Sequence, residues 1–274
     1  MVNDTPRIEP RRLPIHLARM SPQLPAMPHD PWADHYESVM ALTFGELYEQ
    51  MTSSTLAEVD RLVPADATIL DLGAGAGRMA LPLARSGRRV IAVDRSERML
   101  AVLQRSSSAL DPEVAGRIEP VRAAISEPGP IGPVDLVLCV FTVVAYCLTE
   151  NELRSTFRAA FEAMPAGGPF LLDAPQPEIF ESMEIESGDL IRTVSMDEVD
   201  PGIHEYREHT VLRTPGGPIE YRDSFRLRLW SSDEIERGLR GSGFTTIEDV
   251  TDRFPDLGAR YLVARGSGVT SSAE

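Results

Sequence analysis

The stretch spanning residues 69–94 constrains the fold more than any other part of this chain. It reads Ile69-Leu70-Asp71-Leu72-Gly73-Ala74-Gly75-Ala76-Gly77-Arg78, passes through a helical pattern, and closes on Val90-Ile91-Ala92-Val93-Asp94. Two short apolar runs around a glycine-rich turn and a helix describe a β-α-β unit, whose parallel sheet must be covered on both faces. Glycines at a strand-to-helix turn take positive φ and let the backbone approach a ligand. The helix expected over residues 78–86 aims its N-terminus at the same place. Asp94 then stands at the tip of the second strand, where a carboxylate accepts both hydroxyls of a ribose. The unit predicts a nucleoside-containing cofactor.

One position chooses among such cofactors. The dinucleotide fingerprint G-x-G-x-x-G would put its third glycine at residue 78, which is Arg78. Here the glycines alternate as Gly73, Gly75 and Gly77, with Asp71 two residues ahead. This resembles motif I of the class I S-adenosylmethionine-dependent methyltransferases, an acid followed by alternating glycines, with Asp94 in the place of that family's ribose-binding acid. The methyl donor has no pyrophosphate, so a loop shaped for an amino acid and a nucleoside suits the departure at Arg78. An NAD-dependent oxidoreductase and a non-catalytic module that only binds S-adenosylmethionine are the alternatives from other classes.

Composition removes further classes. At 274 residues and 42% hydrophobic content the chain can bury the core of one domain with an appendage. A net charge of −15 opposes sequence-independent binding to nucleic acid or to an anionic membrane, which both need a basic face. All 27 basic residues are arginine, which excludes lysine nucleophiles and the lysine of a phosphate-binding P-loop. Cys139 and Cys147 have no metal-ligand spacing and are too few for a disulfide scaffold, and no metal constellation is evident. There is no apolar run of the ~20 residues that span a bilayer. The N-terminus lacks the apolar segment of a secretory signal, so a cytoplasmic protein is expected.

Taken in order, residues 1–31 carry Pro6, Pro10, Pro14, Pro22, Pro25, Pro28 and Pro31, a spacing that blocks helix and central strand. They read as a surface arm, or as a segment that folds over the cofactor cleft, with His16 and His29 solvated. Residues 32–63 turn helical, in two helices, with Thr52-Ser53-Ser54 as a break or cap. Trp32-Ala33-Asp34-His35-Tyr36 resembles the aromatic segment ahead of motif I in small-molecule methyltransferases, whose tyrosine closes over the methyl-donor site. The resemblance makes Tyr36 a candidate at the reaction centre and Trp32 a candidate substrate contact. Further helix is expected over residues 97–107, and strand over residues 118–123 and 135–139. Arg95 and Met99 are where the adenine would lie. The family commonly has an Asp just after the third strand; Ala124 stands there instead, leaving the backbone near Ile125 as the adenine contact. Thr149 opens a helix with a T-x-x-E capping box to Glu152. Pro165-Ala166-Gly167-Gly168 ends that helix before a fifth strand over residues 170–174, and the whole segment resembles the family's motifs IV to VI. A helix over residues 231–241 capped by Ser232, and antiparallel strands over residues 245–249 and 260–264, complete the sheet. The tail from residue 267 is expected to fray.

The resemblance thus implies an α/β fold: a doubly wound, seven-stranded Rossmann-like methyltransferase sheet with an N-terminal helical segment and a β-meander cap inserted after strand five. Its parts are an arm (1–31), a cofactor-binding core (32–175), the cap (176–230), the C-terminal part of the core (231–266) and a tail (267–274). The cofactor site it implies comprises Asp71, Gly73, Ala74, Gly75, Gly77, Arg78, Asp94, Arg95, Met99, Ala124, Ile125, Cys139 and Val140. In the cap, strands are expected over residues 190–195, 204–212 and 219–230. On the third, Tyr221, Phe225, Leu227 and Leu229 alternate with Arg222, Ser224, Arg226 and Arg228. Asp223 interrupts the apolar face and needs a partner there, either substrate or an internal arginine, with the internal pair favoured. His204, Tyr206, Glu208 and His209 lie on the middle strand, the first two as candidate substrate contacts.

A β-meander in this place resembles the small-molecule N-methyltransferases acting on amino sugars and on glycine. Tyr146, just past strand four, falls where related sugar N-methyltransferases carry a His or Tyr facing the methyl group. The expected reaction moves a methyl group from S-adenosylmethionine to a small-molecule acceptor, at nitrogen first and at an aromatic carbon or oxygen otherwise. Partners other than that acceptor are not expected, beyond a homodimer left open.

Overall fold

The computed structural model describes residues 27–256 and 258–267. His16 and residues 268–274 lie outside them, and so does most of the arm. The glycine-rich unit is built as its pattern requires. β1 (Thr68–Leu72) runs parallel to β2 (Arg89–Asp94), in a register from Thr68↔Arg89 to Leu72↔Val93. Between them lies α3 (Ala80–Arg85), six residues long. The expected helix began at residue 78; instead residues 73–79 form turns, with the Gly77 amide bonded to the Ala74 carbonyl at 2.9 Å. The three glycines use their freedom at positive φ and postpone the helix. The helix N-terminus is therefore set back from the glycine loop, and the loop itself forms the ligand-facing surface.

Ahead of β1 stand α1 (Tyr36–Phe44) and α2 (Glu46–Leu62), joined at Gly45 with φ +57°. The expected break at Thr52-Ser53-Ser54 does not occur. Thr52 and Thr55 donate back to the Tyr48 and Met51 carbonyls, which lets hydroxyl side chains sit inside the helix. After β2 come α4 (Glu97–Ser108), the short α5 (Pro112–Ala115), β3 (Ile118–Arg122), β4 (Leu136–Cys139), α6 (Glu150–Ala163) and β5 (Pro169–Pro175). The Thr149–Glu152 capping box forms as expected. The cap contributes β6 (Met183–Ser187), β7 (Leu190–Asp200), β8 (Ile203–Thr214) and β9 (Gly217–Arg228). The chain then closes with α7 (Ser232–Gly241), β10 (Phe244–Asp249) and β11 (Ala259–Gly266). Ser231, not Ser232, caps α7 and makes a second capping box with Glu234.

The main sheet has seven strands in the order β3-β2-β1-β4-β5-β11-β10, with β11 antiparallel to both neighbours. Alternate residues of the central strands feed opposite faces. Ile69, Leu136 and Leu138 meet α2, α3 and α4 through Val59, Leu83 and Leu103. Leu70, Leu72 and Val137 meet α6 and α7 through Phe157, Leu153 and Ile235. The strand order reverses between β1 and β4, and the crevice at that switch point is where open α/β sheets bind ligands.

The cap is a second sheet of four antiparallel strands, β6-β7-β8-β9. Three were expected. The additional strand, β6, reads Met-Glu-Ile-Glu-Ser and lies at an edge, so its glutamates face outward and blur the apolar signal. One end of the cap packs on the N-terminal segment through Trp32, Val39, Leu190, Leu212 and Tyr221. The other packs on the loop after β4 through Ala145, Phe180, Val194, Tyr206 and Leu227. The cap is thereby seated across the C-terminal ends of the central strands.

Candidate active site

A cavity opens at the ends of β1, β2 and β4, with the glycine loop as its floor. Asp94 is clamped there by two backbone amides, from Gly75 to Oδ2 at 2.9 Å and from Ser96 to Oδ1 at 2.8 Å. Burial raises its pKa, and those two N–H groups oppose the rise. Each oxygen keeps a second lone pair, so a fixed carboxylate is left to receive a vicinal diol. Asp71 is fully buried in the same cavity, and its Oδ2 has no hydrogen-bond partner among the described residues. Desolvation and the nearby Asp94 push its carboxyl up to about 7. A buried acid held near neutrality beside a second acid favours a ligand that brings a positive charge.

The glycines differ in what surrounds them. A Cβ at Gly73 would lie 2.6 Å from Val143 Cγ1, whereas one at Gly75 would have nothing within 4 Å among the described residues. Gly73 is needed for packing against the loop after β4, and Gly75 leaves open the space above the floor. Gly77 packs on Leu103 and lies outside this cavity. Cys139 is likewise buried in the sheet, outside the cavity lining.

The loop after β4 delivers the reacting side. Phe141 and Thr142 both sit in the left-handed region, at φ +67° and +64°, uncommon for residues with a Cβ. The buried Asp173 at the end of β5 holds this conformation by accepting the Thr142 amide at 2.8 Å. Desolvation raises the Asp173 carboxyl to about 7 despite that bond. Strain fixed by a buried acid is a common mark of a functional turn. It swings Val143 against Gly73 and sends Tyr146 into the cavity, where burial pushes its phenol well above the ordinary range.

The sequence places His29 in a solvated arm. The structure instead half-buries its ring at the cavity, with Nε2 2.6 Å from the Tyr146 hydroxyl. Its backbone N–H donates to Asp223 Oδ2 at 2.7 Å. The expected arginine partner of Asp223 is thus replaced by two backbone amides, those of His29 and Ser224. The buried arginine, Arg192, pairs with Glu208 at 3.0 Å and donates to the Tyr206 hydroxyl at 2.9 Å. β7 and β8 set that pair directly, because Arg192 and Glu208 lie near one another across the ladder, while Asp223 lies one strand further on.

The remaining candidates divide cleanly. Asp71, Gly73, Ala74, Gly75, Arg78, Asp94, Arg95, Met99, Ala124, Ile125, Val140, Tyr36 and Tyr146 all line the cavity. Arg78 also ties α2 to the loops, with its guanidinium 3.7 Å from the ring centroids of both Tyr48 and Phe141. Trp32, His204 and Tyr206 do not line it. Trp32 is a fully buried anchor stacked on Tyr36 at 5.1 Å. His204 packs on Phe180, and Tyr206 stacks on Phe225 at 4.4 Å. They form the support behind the cavity wall. Cavity residues that the sequence did not mark as site candidates include His29, Glu37 and Phe141. Only His29 had a signal: it directly precedes the aromatic segment that carries Tyr36.

Residues 69–168 match the family model described as a methyltransferase domain. Over 240 residues the chain is 26% identical to a protein of Geobacillus sp. (strain WCH70) named as a methyltransferase, covering 84% of this chain and 95% of that one. A solved S-adenosylmethionine-dependent methyltransferase from Clostridium acetobutylicum superposes with a TM-score of 0.70 at 17% identity, over 86% of this chain and 99% of that chain. The sugar N-methyltransferase KedS8 from Streptoalloteichus sp. gives a TM-score of 0.69 at 18% identity, over 92% and 99%. The match is to a methyltransferase domain over residues 69–168, and the fold is shared with a solved S-adenosylmethionine-dependent methyltransferase.

Proposed function

We propose that this chain, a methyltransferase domain carrying an inserted cap, transfers a methyl group from S-adenosylmethionine to the nitrogen of a small-molecule acceptor. The observation that carries the proposal is the pair of acids on either side of the glycine loop. Asp94, clamped by Gly75 and Ser96, suits the ribose hydroxyls. The orphaned oxygen of Asp71 suits the ammonium of the amino-acid end. Both requirements belong to a nucleoside joined to an amino acid, and neither calls for a pyrophosphate. Arg95, Met99 and the Ala124–Ile125 backbone would border the adenine.

When bound, that cofactor supplies an already activated methyl group, so the protein need not generate an electrophile. The chain's own residues hold the acceptor in line with the transferring bond and keep water out. Orientation of this kind lowers a barrier by up to ~7–11 kcal/mol. Tyr36 and Tyr146, which both line the cavity, are proposed to touch the acceptor as neutral phenols, burial raising Tyr36 to about 12 and Tyr146 well above its ordinary value. The fold likeness to a protein named as a sugar N-methyltransferase favours nitrogen, and methylation at oxygen or carbon is the second reading. Titration calorimetry with S-adenosylmethionine tests the proposal, with Asp94→Ala as control. Binding by the wild type that Asp94→Ala weakens is expected; no binding, or equal binding by both, refutes the site assignment. Thermal shift against S-adenosylhomocysteine and NAD separates this reading from an oxidoreductase.

A further inference from the structure

His29 is set in the molecule with more care than an arm residue requires. Its φ of +68° lies in the left-handed region, and its amide is tied to Asp223 on β9. Its ring is surrounded by those of Trp32, Tyr36, Tyr146, Tyr206 and Phe225, with centroids 4.9 to 6.4 Å away. Among the described residues, one polar side-chain contact of the ring is within hydrogen-bond distance, the 2.6 Å contact from Nε2 to the Tyr146 hydroxyl.

The tautomer follows from what faces the other nitrogen. Among the described residues Nδ1 has no hydrogen-bond partner, and it is buried 3.9 Å from Asp223 Oδ2. A bare Nδ1 lone pair would face a carboxylate, which is repulsive; an N–H there faces it favourably. The proton therefore belongs on Nδ1, Nε2 is bare, and the Tyr146 hydroxyl must be the donor in the short contact. A tyrosine has one proton. Once it is committed to His29, the Tyr146 oxygen offers the cavity only lone pairs.

We infer that His29 is a positioning residue that holds Tyr146 as a hydrogen-bond acceptor, so that this site takes its methyl acceptor by an N–H or O–H bond on the atom to be methylated or its neighbour. The inference rests on the methyltransferase reading and sharpens it to a substrate class: primary or secondary amines and hydroxyl compounds, with tertiary amines, thioethers and pyridines refused. The N–H or O–H points at Tyr146 and leaves the acceptor's electron pair free to face the methyl group. The acceptor's electron pair forms the new bond to the methyl carbon as the S–CH₃ bond breaks to leave S-adenosylhomocysteine, and the proton shed by the methylated nitrogen or oxygen passes to solvent, so none is transferred to His29. The charged groups facing the imidazole are Asp223, Arg192 on β7 and Arg95 after β2, with Tyr36, Tyr146 and Tyr206 around it. Burial first, then Arg192 and Arg95, push its pKa down to about 3, which keeps Nε2 bare at working pH.

The test needs no known acceptor for its first arm. Imidazole nitrogen chemical shifts are recorded on the ¹⁵N-labelled full chain with S-adenosylhomocysteine present, and His29 is assigned by loss of its signals in His29→Gln. The expected result is a neutral Nδ1–H tautomer from pH 5 to 8 whose Nε2 shift moves in Tyr146→Phe. An Nε2–H tautomer, or titration within that range, overturns the inference. The second arm follows S-adenosylhomocysteine formation across paired probes: benzylamine, N-methylbenzylamine and phenol against N,N-dimethylbenzylamine, thioanisole and pyridine. Turnover confined to the first three, lowered about tenfold by His29→Leu and restored by His29→Gln, is expected, since a lost hydrogen bond has about that weight. Turnover of any of the last three overturns it. A protein that fails to bind S-adenosylmethionine fails the underlying reading, while the His29 tautomer still decides the inference.

Discussion

Substituting Gly75 and Gly73 separately should divide ligand binding from stability. Both sit at positive φ, +54° and +79°, so alanine at either position incurs left-handed strain of about 1–2 kcal/mol. At Gly75 the new methyl meets no atom of the described residues within 4 Å, and the amide that holds Asp94 is retained. Stability should then fall only by that strain, a loss of about 2–4 °C in Tm for each kcal/mol in a domain of this size. The methyl does, however, project above the cavity floor, and S-adenosylmethionine affinity should drop by about a hundredfold, as for a clash costing about 3 kcal/mol. At Gly73 the same methyl lies 2.6 and 2.7 Å from the two Val143 Cγ atoms. Val143 is β-branched and stiff at χ1, so overpacking adds about 1–3 kcal/mol to the strain. Gly73→Ala should therefore cost about 2–5 kcal/mol and displace the turn that carries Tyr146. Urea denaturation and titration calorimetry on the two variants decide the matter. If Gly75→Ala loses as much stability as Gly73→Ala, or binds the cofactor like the wild type, the division of roles is wrong.

Three further outcomes are expected. Replacing Asp94 by Asn removes the charge while keeping the shape, and should weaken S-adenosylmethionine binding about 10- to 100-fold by calorimetry, the weight of one charged hydrogen-bonding group. Asp71 and Asp173 hold their protons to about pH 7 when folded but release them near the ordinary 3.8 when unfolded. The folded state binds more protons in that window, so the stability of the free protein should fall as pH rises from about 4 to 7 and level above it. A cationic ligand prefers ionised Asp71, so cofactor affinity should rise with pH up to about 7, with proton release seen as buffer-dependent heats, and Asp71→Asn should flatten the profile. Finally, Arg192→Met strands the buried Glu208, and should destabilise by about 3–5 kcal/mol in urea, while Arg192→Met combined with Glu208→Leu recovers most of the loss.

How much was legible beforehand differs from element to element. The central strands were readable because a parallel strand buried on both faces is apolar throughout, and β1, β2 and β4 match their expected positions within a residue. The capping box at Thr149 is a local pattern and forms locally, whereas the cap expected at Ser232 falls one residue earlier, at Ser231. β6 was missed because an edge strand with glutamates on its open face carries little hydrophobic signal. The unbroken α2 defeated the Thr52-Ser53-Ser54 signal because hydroxyl bonds to preceding carbonyls offset the propensity. Asp223 was correctly read as needing a partner, but a period-two pattern names a face and not the residue across it.

The sequence by itself determined the β-α-β unit, the choice of alternating glycines over a dinucleotide turn, and the acids that flank them. These are short-range features, fixed by φ at three glycines and by the alternation of strand faces. Tertiary structure alone decided the acceptor side. It brings His29, Tyr146 and Asp223, separated by 117 and 194 positions from His29, into contact. It also gives Trp32, His204 and Tyr206 supporting places behind the wall. Such assignments depend on how the cap sheet and the N-terminal segment close over the switch point. That packing is set by long-range burial, and no local pattern encodes it.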